Sequence, residues 1–323
     1  MYINYGGSYM KKIIALLLTM LLVVALFVGC GQDDTTDTED TSQTTDSNET
    51  ADETTDETAD ESTDETTDVA DTGSLEDGFY YAEDESYPED NSWKGAIIIE
   101  VADGQMVDIN WTAINKNAGP DKKTASENGD YGMVAKAGAI AEWHEQAEII
   151  ENHLLETQDV TDIEYVDDEG HVDVVAGVSI HVNDFYALAE KALANGPQEK
   201  GPYTDGAYYA EEDEFADSGW KGTVDITVLF GHIVEVNWSA VDETGADKKE
   251  ASISGEYGMV EKAGASAEWH EQAAIIEDYL LLTQDPTAIE YIDDEGHVDV
   301  VAGVTIHVND FYALVEKALA DAQ

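Results

Sequence analysis

Two nearly identical segments of the chain carry the residues best suited to chemistry. Residues 167–188 read DDEGHVDVVAGVSIHVNDFYAL, and residues 293–314 read DDEGHVDVVAGVTIHVNDFYAL. They differ only where Ser179 in the first segment stands against Thr305 in the second, so both segments keep a hydroxyl group at this position. These two residues are therefore the first candidates for a functional site.

The backbone around each hydroxyl residue suits a bound phosphate. Gly177 and Gly303 precede them by two residues, and glycine lets the backbone approach a ligand closely. Asn183 is a good N-cap, so we predict that a helix begins there and runs to Leu193. Free N–H groups at a helix N-terminus favour an anion. The same residues are equally compatible with a tight turn whose Ser or Thr caps the helix.

Other catalytic and metal-binding signatures are missing, so we predict no catalytic residue and no metal site. His144-Glu145 is not followed by a second histidine at the spacing of a zinc-protease helix, because Glu148 stands there. The sequence has no P-loop, nucleophile elbow or GxGxxG. Six of the eight histidines recur at matching positions of the two halves, and we interpret most of them as surface or hydrogen-bonded residues.

The composition excludes several classes of protein. The chain has 72 Asp and Glu against 14 Lys and no Arg, a formal charge of −58, so we exclude a nucleic-acid-binding function. The single cysteine, Cys30, excludes disulfides, iron–sulfur clusters, CxxCH haem attachment and cysteine-based zinc sites. A large exported protein without disulfides is typical of bacteria.

Residues 1–29 are predicted to be a lipoprotein signal peptide. Lys11 and Lys12 form a positive n-region, and residues 13–28 are nearly all apolar, a length that suits a signal peptide and is short for a membrane span. The segment ends in Phe-Val-Gly-Cys, which resembles a bacterial lipobox. The resemblance implies cleavage before Cys30 and lipidation of that cysteine. An uncleaved anchor helix is the alternative.

The mature chain is predicted to be a tether followed by two copies of one domain. Residues 30–76 are mostly Thr, Asp, Glu, Ser and Ala, which cannot bury a core and repel one another, so we predict a disordered acidic spacer. Residues 77–195 and residues 205–323 are tandem repeats of ordinary domain size. A turn-forming linker, residues 196–204, joins them.

Strand patterns precede helical patterns in each repeat, which predicts an α+β fold with a mostly antiparallel sheet and packed helices. Asp103-Gly104 is a hairpin signal between two of the strands. A second hairpin is predicted further along, over residues 163–175. The three strands predicted first in the first repeat are 78–82, 95–101 and 106–114.

One long helix is predicted in the middle of each repeat. In the first repeat a polar loop leads to Tyr131, and apolar residues then step by three and four as far as Leu155. The resulting stripe includes Ile140 and Trp143, so we predict that Trp143, like Trp269 in the second repeat, packs in the core.

The segments that end in the two hydroxyl residues resemble the flavinylation motif of FMN-binding domains. They read DVVAGVS, ending in Ser179, and DVVAGVT, ending in Thr305. In that family a flavin transferase joins FMN to the last motif residue through a phosphoester bond. The resemblance therefore implies covalent FMN on Thr305 and Ser179. The other motif residues that it implies for the cofactor site are Asp173, Gly177, Asp299 and Gly303.

The wider pattern resembles the two-domain flavin lipoproteins of Gram-positive extracellular electron transfer. It consists of the lipid anchor, the acidic tether, the two repeats, and the YGM and EWHEQA blocks. We expect Tyr131, Met133, Tyr257 and Met259 of the YGM blocks to line the flavin pocket. Five lysines recur in both repeats and either partner an anionic cofactor or form ordinary salt bridges; in the first repeat they are Lys94, Lys122, Lys123, Lys136 and Lys191.

The resemblance implies an electron carrier more than a stand-alone enzyme. The expected partners are an FMN transferase, a membrane-bound donor (a dehydrogenase or a quinone-linked protein) and extracellular electron acceptors. The expected location is the outer face of the cell membrane. Two alternatives stay open: a lipoprotein that binds a ligand without redox chemistry, and a flavin-dependent extracellular reductase. For the reductase, His181 and His307 are the acid–base candidates nearest the acceptors.

Overall fold

The computed structural model describes residues 74–89 and 91–323. These residues belong to one compact unit, residues 68–323. The predicted signal peptide, Cys30 and the predicted tether up to residue 73 lie outside the described residues. Within the part of the chain that is described, no helix is both long enough and apolar enough to cross a membrane.

Each repeat consists of a three-stranded antiparallel sheet followed by helices, which confirms the α+β class and the tandem arrangement. The strands of each sheet pair in chain order. The first repeat contains β1 (Gly78–Glu83), β2 (Trp93–Ala102), β3 (Gln105–Asn115), α1 (Lys122–Glu127), α2 (Met133–Ala137), α3 (Trp143–Thr157) and α4 (Asn183–Asn195). The second contains β4 (Gly206–Glu211), β5 (Trp220–Leu229), β6 (His232–Asp242), α5 (Lys248–Ile253), α6 (Met259–Ala263), α7 (Trp269–Thr283) and α8 (Asn309–Leu319).

The two faces of the first sheet have different partners. Ile97 and Ile99 of β2 are buried in one core with residues of α3 and α4. Successive strand residues point to opposite faces, so Ala96 points the other way. Ala96 and Ile114 pack there with Leu229 of the second repeat. The sheet therefore lies between its own helices and the neighbouring repeat.

The predicted hairpin at Asp103-Gly104 is confirmed. Both residues have positive φ, 53° and 75°, as a two-residue turn between twisted strands requires. The second repeat has Phe230-Gly231 in this turn, with φ of 53° and 71°. The Phe230 ring is buried and stacks on Tyr81, with the two ring centroids 5.2 Å apart. This turn therefore also joins the two repeats.

The single helix predicted in the middle of each repeat was wrong, because α2 and α3 are separate helices. Gly138 ends α2 with a φ of 67°, in the left-handed region that glycine adopts at helix C-termini. Glu142 then starts α3 through a capping box with Glu145. Ile140 lies between the two helices and is 74% exposed, so it does not belong to the buried stripe.

The helix starts also differ in detail from the prediction. The loop predicted after β3 contains α1, because the Asp121 carboxylate accepts hydrogen bonds from the N–H groups of Lys123 and Thr124 and caps a helix there. Helix α4 does begin at Asn183, but its N-cap residue is Val182. The Asn183 side chain donates instead to the adjacent Asp184.

The second predicted hairpin was wrong as a pair of strands. Only a single bridge forms, between Tyr165 and Val172. The Asp167 carboxylate accepts hydrogen bonds from the N–H groups of Glu169 and His171. A side chain therefore satisfies the turn's N–H groups, and the backbone bends after the bridge with no further ladder.

Candidate functional site

Each repeat contains a cavity beside its hydroxyl residue. The volumes are about 350 Å³ in the first repeat and about 390 Å³ in the second, within the range of roughly 300–1,000 Å³ of small-molecule sites. Side chains from matching positions line both cavities. They include Lys122, Tyr131, Met133, Trp143, Ser179 and Asp184 in the first repeat, and Lys248, Tyr257, Met259, Trp269, Thr305 and Asp310 in the second.

The structure brings together some of the residues that the sequence indicated and leaves others apart. Ser179, Tyr131 and Met133 lie around one cavity, and their counterparts lie around the other. The other motif residues do not line either cavity; they are Asp173, Gly177, Asp299 and Gly303. The Asp173 side chain is exposed to solvent. The backbone of this segment is a turn in which Gly177 has a φ of 94°.

A buried glutamine fixes each hydroxyl residue. The Gln146 Oε1 atom accepts hydrogen bonds from Ser179 N–H, at 2.7 Å, and from Ser179 Oγ–H, at 3.1 Å. The Gln146 Nε2 atom donates to the carbonyl of Ala141, so the amide cannot flip without losing these bonds. Gln272 makes the same two bonds to Thr305, at 2.7 and 3.1 Å. Each hydroxyl therefore has a defined position on the loop.

The YGM segment is held by the start of the following helix. The Glu142 carboxylate accepts hydrogen bonds from the N–H groups of Met133, at 2.6 Å, and Val134, at 3.2 Å. These are the first N–H groups of α2, which have no partner inside a helix. The Tyr131 ring meets Trp93 edge to face, with the ring centroids 6.0 Å apart. Glu142 thus holds Met133 at the cavity, whereas Tyr131 is held by Trp93 and by its N–H bond to the Ala125 carbonyl.

Trp143 serves the core and the cavity at once. Its side chain is buried, as predicted, and its ring lies 4.9 Å from that of Trp111 between centroids. Part of the same ring also lines the cavity. The cavity wall is therefore aromatic, and the rings that form it are immobilised by packing.

Lys122 is the cation of the first cavity. Its Nζ atom lies 4.7 Å from the Trp143 ring centroid and 4.9 Å from that of Tyr131. Among residues 74–89 and 91–323, no carboxylate oxygen lies within 4.0 Å of this Nζ. Burial lowers the pKa of Lys122 to about 8, and the charge of Asp184 opposes that shift. Lys248 has the same surroundings in the second repeat, and its pKa is also lowered to about 8 by burial.

The other repeated lysines have partners within the protein. Lys94 pairs with Glu83 at 3.1 Å, and Lys123 pairs with Glu151 at 2.8 Å. Lys136 and Lys191 donate to backbone carbonyls. Lys94 and Lys123 therefore form the ordinary salt bridges of the alternative, whereas Lys136 and Lys191 form backbone hydrogen bonds. Lys122 and Lys248 are the lysines at the cavities.

Replacing Lys248 with methionine should stabilise the flavin-free protein at pH 7. A lysine whose pKa falls from 10.5 to about 8 on folding disfavours the folded state at every pH below 8. Removing it should raise the free energy of unfolding by about 1–3 kcal/mol, after the loss of a cation–π contact of about 0.5–1 kcal/mol. The gain should shrink between pH 8 and pH 10.5, because the wild-type lysine then loses its proton. Urea unfolding of both proteins at pH 7 and pH 10 measures this. A variant less stable than wild type at pH 7 would contradict it.

The sequence analysis missed two kinds of site residue. The first kind is Gln146 and Gln272, which stand in the recurring EWHEQ block. That recurrence could have indicated them, but only the structure shows that they contact a loop 33 residues away. The sequence also gave equal weight to Lys122 and Lys123. The helix α1 turns one toward the cavity and the other toward Glu151.

Comparison with known proteins found structural matches but no family. No protein-family model and no curated protein matches the chain. A protein from Clostridium thermocellum, solved by NMR, is 53% identical over 36% of this chain and 90% of its own, with a TM-score of 0.31. A protein from Clostridium perfringens, solved by crystallography, is 28% identical over 37% of this chain and 88% of its own, with a TM-score of 0.30. Both are structural-genomics targets.

Proposed function

We propose that this protein is a lipid-anchored electron carrier with one FMN joined covalently to each repeat, at Ser179 and Thr305. One observation carries the proposal: each hydroxyl lies at a cavity that has aromatic walls and a lysine with no carboxylate partner among the described residues. Such a site suits a ligand that has a planar aromatic ring and an anionic phosphate and that can be joined to a hydroxyl group.

The residues of the cavity fit the chemistry of FMN. The fixed hydroxyl provides the oxygen for a phosphoester, and Lys122 or Lys248 offers a positive charge to an anionic group. The Trp and Tyr rings offer an aromatic wall to a planar ring. FMN, when bound, supplies the redox chemistry. The protein's part is to attach the cofactor, orient it and keep it accessible from outside, since the hydroxyl residues are exposed.

The proposed partners follow from the same reading. An FMN transferase attaches the cofactor, a membrane-bound donor reduces it, and extracellular acceptors reoxidise it. The protein lies on the outer face of the cell membrane, held by lipid on Cys30. The acidic segment between Cys30 and the first repeat joins the lipid anchor to the two repeats.

Denaturation separates this proposal from a non-redox ligand-binding function. The protein is produced together with an FMN transferase, purified, unfolded in guanidinium and washed. Flavin absorbance should stay with the polypeptide, because a phosphoester survives unfolding. Colour that leaves with the wash would favour a noncovalent ligand-binding protein. Steady turnover of one small substrate without a partner protein would favour the reductase instead.

Replacing Cys30 with alanine should release the protein from the membrane. A lipid on this cysteine is the proposed anchor, and without it the acidic chain has no attraction to an anionic surface. Fractionation of cells should find wild type in the membrane pellet and the variant in the soluble or secreted fraction. Retention of the variant in the pellet would favour an uncleaved anchor helix.

Both flavins should have reduction potentials below that of free FMN at low salt. A flavin gains negative charge on reduction when its hydroquinone ionises, and a protein of formal charge −58 disfavours that anion. Salt screens exposed charges, with a Debye length of about 10 Å at 0.1 M, so the potentials should rise as salt is added. The cavity lysine acts in the opposite direction, and Lys248→Met should lower one potential further. Redox titrations at low and high salt test this, and potentials that lie above free FMN or ignore salt would contradict it.

A further inference from the structure

A second side-chain cluster in each repeat has the composition of a metal site. In the first repeat it consists of Glu169, His171 and His181, whose potential ligand atoms all lie within 4.8 Å of one another. Glu295, His297 and His307 form the same cluster in the second repeat. We propose that each cluster binds one divalent transition-metal ion, with two imidazole nitrogens and one carboxylate oxygen as ligands. The proposal departs from our prediction from the sequence, which was that there is no metal site.

A carboxylate holds the first histidine of each cluster in place. The Nδ1 atom of His171 lies 2.6 Å from Asp167 Oδ2, and the other oxygen of Asp167 accepts two backbone N–H groups. The carboxylate is therefore fixed, and the nitrogen that it contacts, Nδ1, also lies 3.9 Å from Glu169 Oε2. When Nδ1–H donates to Asp167, Nε2 of His171 is the nitrogen that keeps a lone pair for a metal. A carboxylate behind a histidine is the usual arrangement around protein-bound metals, because it sets the tautomer and the ring orientation.

The other two residues face the same point but have no strong contact with each other. The Nε2 atom of His181 lies 3.9 Å from Glu169 Oε2, and the rings of His171 and His181 meet edge to face with centroids 4.3 Å apart. A distance of 3.9 Å is too long for a hydrogen bond. Two atoms that each lie about 2.0–2.2 Å from a common tetrahedral ion are about 3.3–3.6 Å apart, so a bound ion would draw these two exposed side chains slightly closer together. Three side chains that do not bond one another therefore lie near the spacing that a shared ion requires.

The ligand types select the class of metal. Imidazole nitrogens favour Zn²⁺, Cu²⁺, Ni²⁺ and related ions, whereas Mg²⁺ and Ca²⁺ prefer sites built of oxygen atoms. Glu169 and His181 are 72% and 56% exposed, so an ion reaches the cluster from solvent without any rearrangement of the core. The surrounding excess of carboxylates also attracts cations in general, which the test must separate from binding at the histidines.

The cluster adjoins the cavity but does not depend on flavin. His181 follows Ser179 by two residues and lines the same cavity, so an ion at the cluster would lie at its rim. The histidine and carboxylate geometry stands whether or not FMN is attached. A test on flavin-free protein therefore remains valid if the proposed function fails.

Cobalt binding tests the inference. The full chain without a histidine tag or flavin is titrated with Co²⁺ in 0.5 M KCl and excess Mg²⁺, which suppress binding to carboxylates alone, and bound metal is counted after dialysis. Two ions per chain are expected. His181→Ala and His307→Ala should each remove one ion, and the double variant both. Asp167→Asn should weaken the first site about 10–100-fold, since the ligands stay but their support is altered.

Two histidines outside the clusters provide the matched control. His153→Ala and His232→Ala should leave both ions bound. Circular dichroism of every variant confirms that the fold is kept. Absence of Co²⁺ binding under these conditions, or equal binding by wild type and the His181→Ala, His307→Ala double variant, would overturn the proposal.

Discussion

Replacing Lys249 with methionine should lower the free energy of unfolding by about 3–5 kcal/mol. The Nζ atom of Lys249 donates to both oxygens of Glu277, at 2.7 and 3.0 Å, and the Glu277 side chain is only 9% exposed. Glu277 also accepts the backbone N–H of Trp238. Removing the lysine leaves a buried carboxylate without a charged partner. The free-energy cost of that unpaired charge is larger than the net contribution of the pair itself.

The pH dependence of this variant's stability shows whether the loss comes from an unpaired buried charge or from lost packing. Burial raises the pKa of Glu277, and Lys249 lowers it again. Without the lysine the pKa rises further, so the carboxylate takes up a proton as the pH falls and the penalty disappears. The deficit should be largest near pH 7 and shrink toward pH 5. Urea unfolding across this range measures it, and a deficit that does not vary with pH would contradict the account.

Lys317→Met is the matched control in the same repeat. Lys317 pairs with Asp213 at 3.1 Å, but both side chains are largely exposed. Exposed pairs contribute little, so this variant should be close to wild type in stability. The comparison matters for the site, because Lys249 fixes α5, and α5 carries the cavity residue Lys248. The Lys249–Glu277 pair thus positions the cation of the cavity against α7.

The strands and the first hairpin were predictable because their signals are local. Side chains alternate with a period of two along β2 and β3, and the turn residues between them favour positive φ. The break between α2 and α3 was not predicted, although Gly138 and Glu142 mark it. The apolar spacing through Ile140 concealed it, because periodicity cannot tell a buried position from an exposed one between two helices.

Some residues of the candidate site were predictable from the sequence, but the residues that hold them in place were not. The sequence singled out the hydroxyl residues and the YGM blocks, and the structure places both at one cavity in each repeat. Gln146 contacts Ser179, which lies 33 residues further along the chain, and no sequence spacing predicts a contact over that distance. The choice between Lys122 and Lys123 depends on which way a six-residue helix faces, which its own sequence does not specify.

Intact mass measured under denaturing conditions tests the central claim most directly, because it counts the FMN groups joined to the chain. Protein produced with an FMN transferase should carry two. Ser179→Ala and Thr305→Ala should each carry one, and the double variant none, because an alanine has no oxygen to form the ester. Ser218→Ala removes another hydroxyl from the second cavity and should keep both. Wild-type protein with no added FMN mass, or two FMN groups on the double variant, would contradict the account.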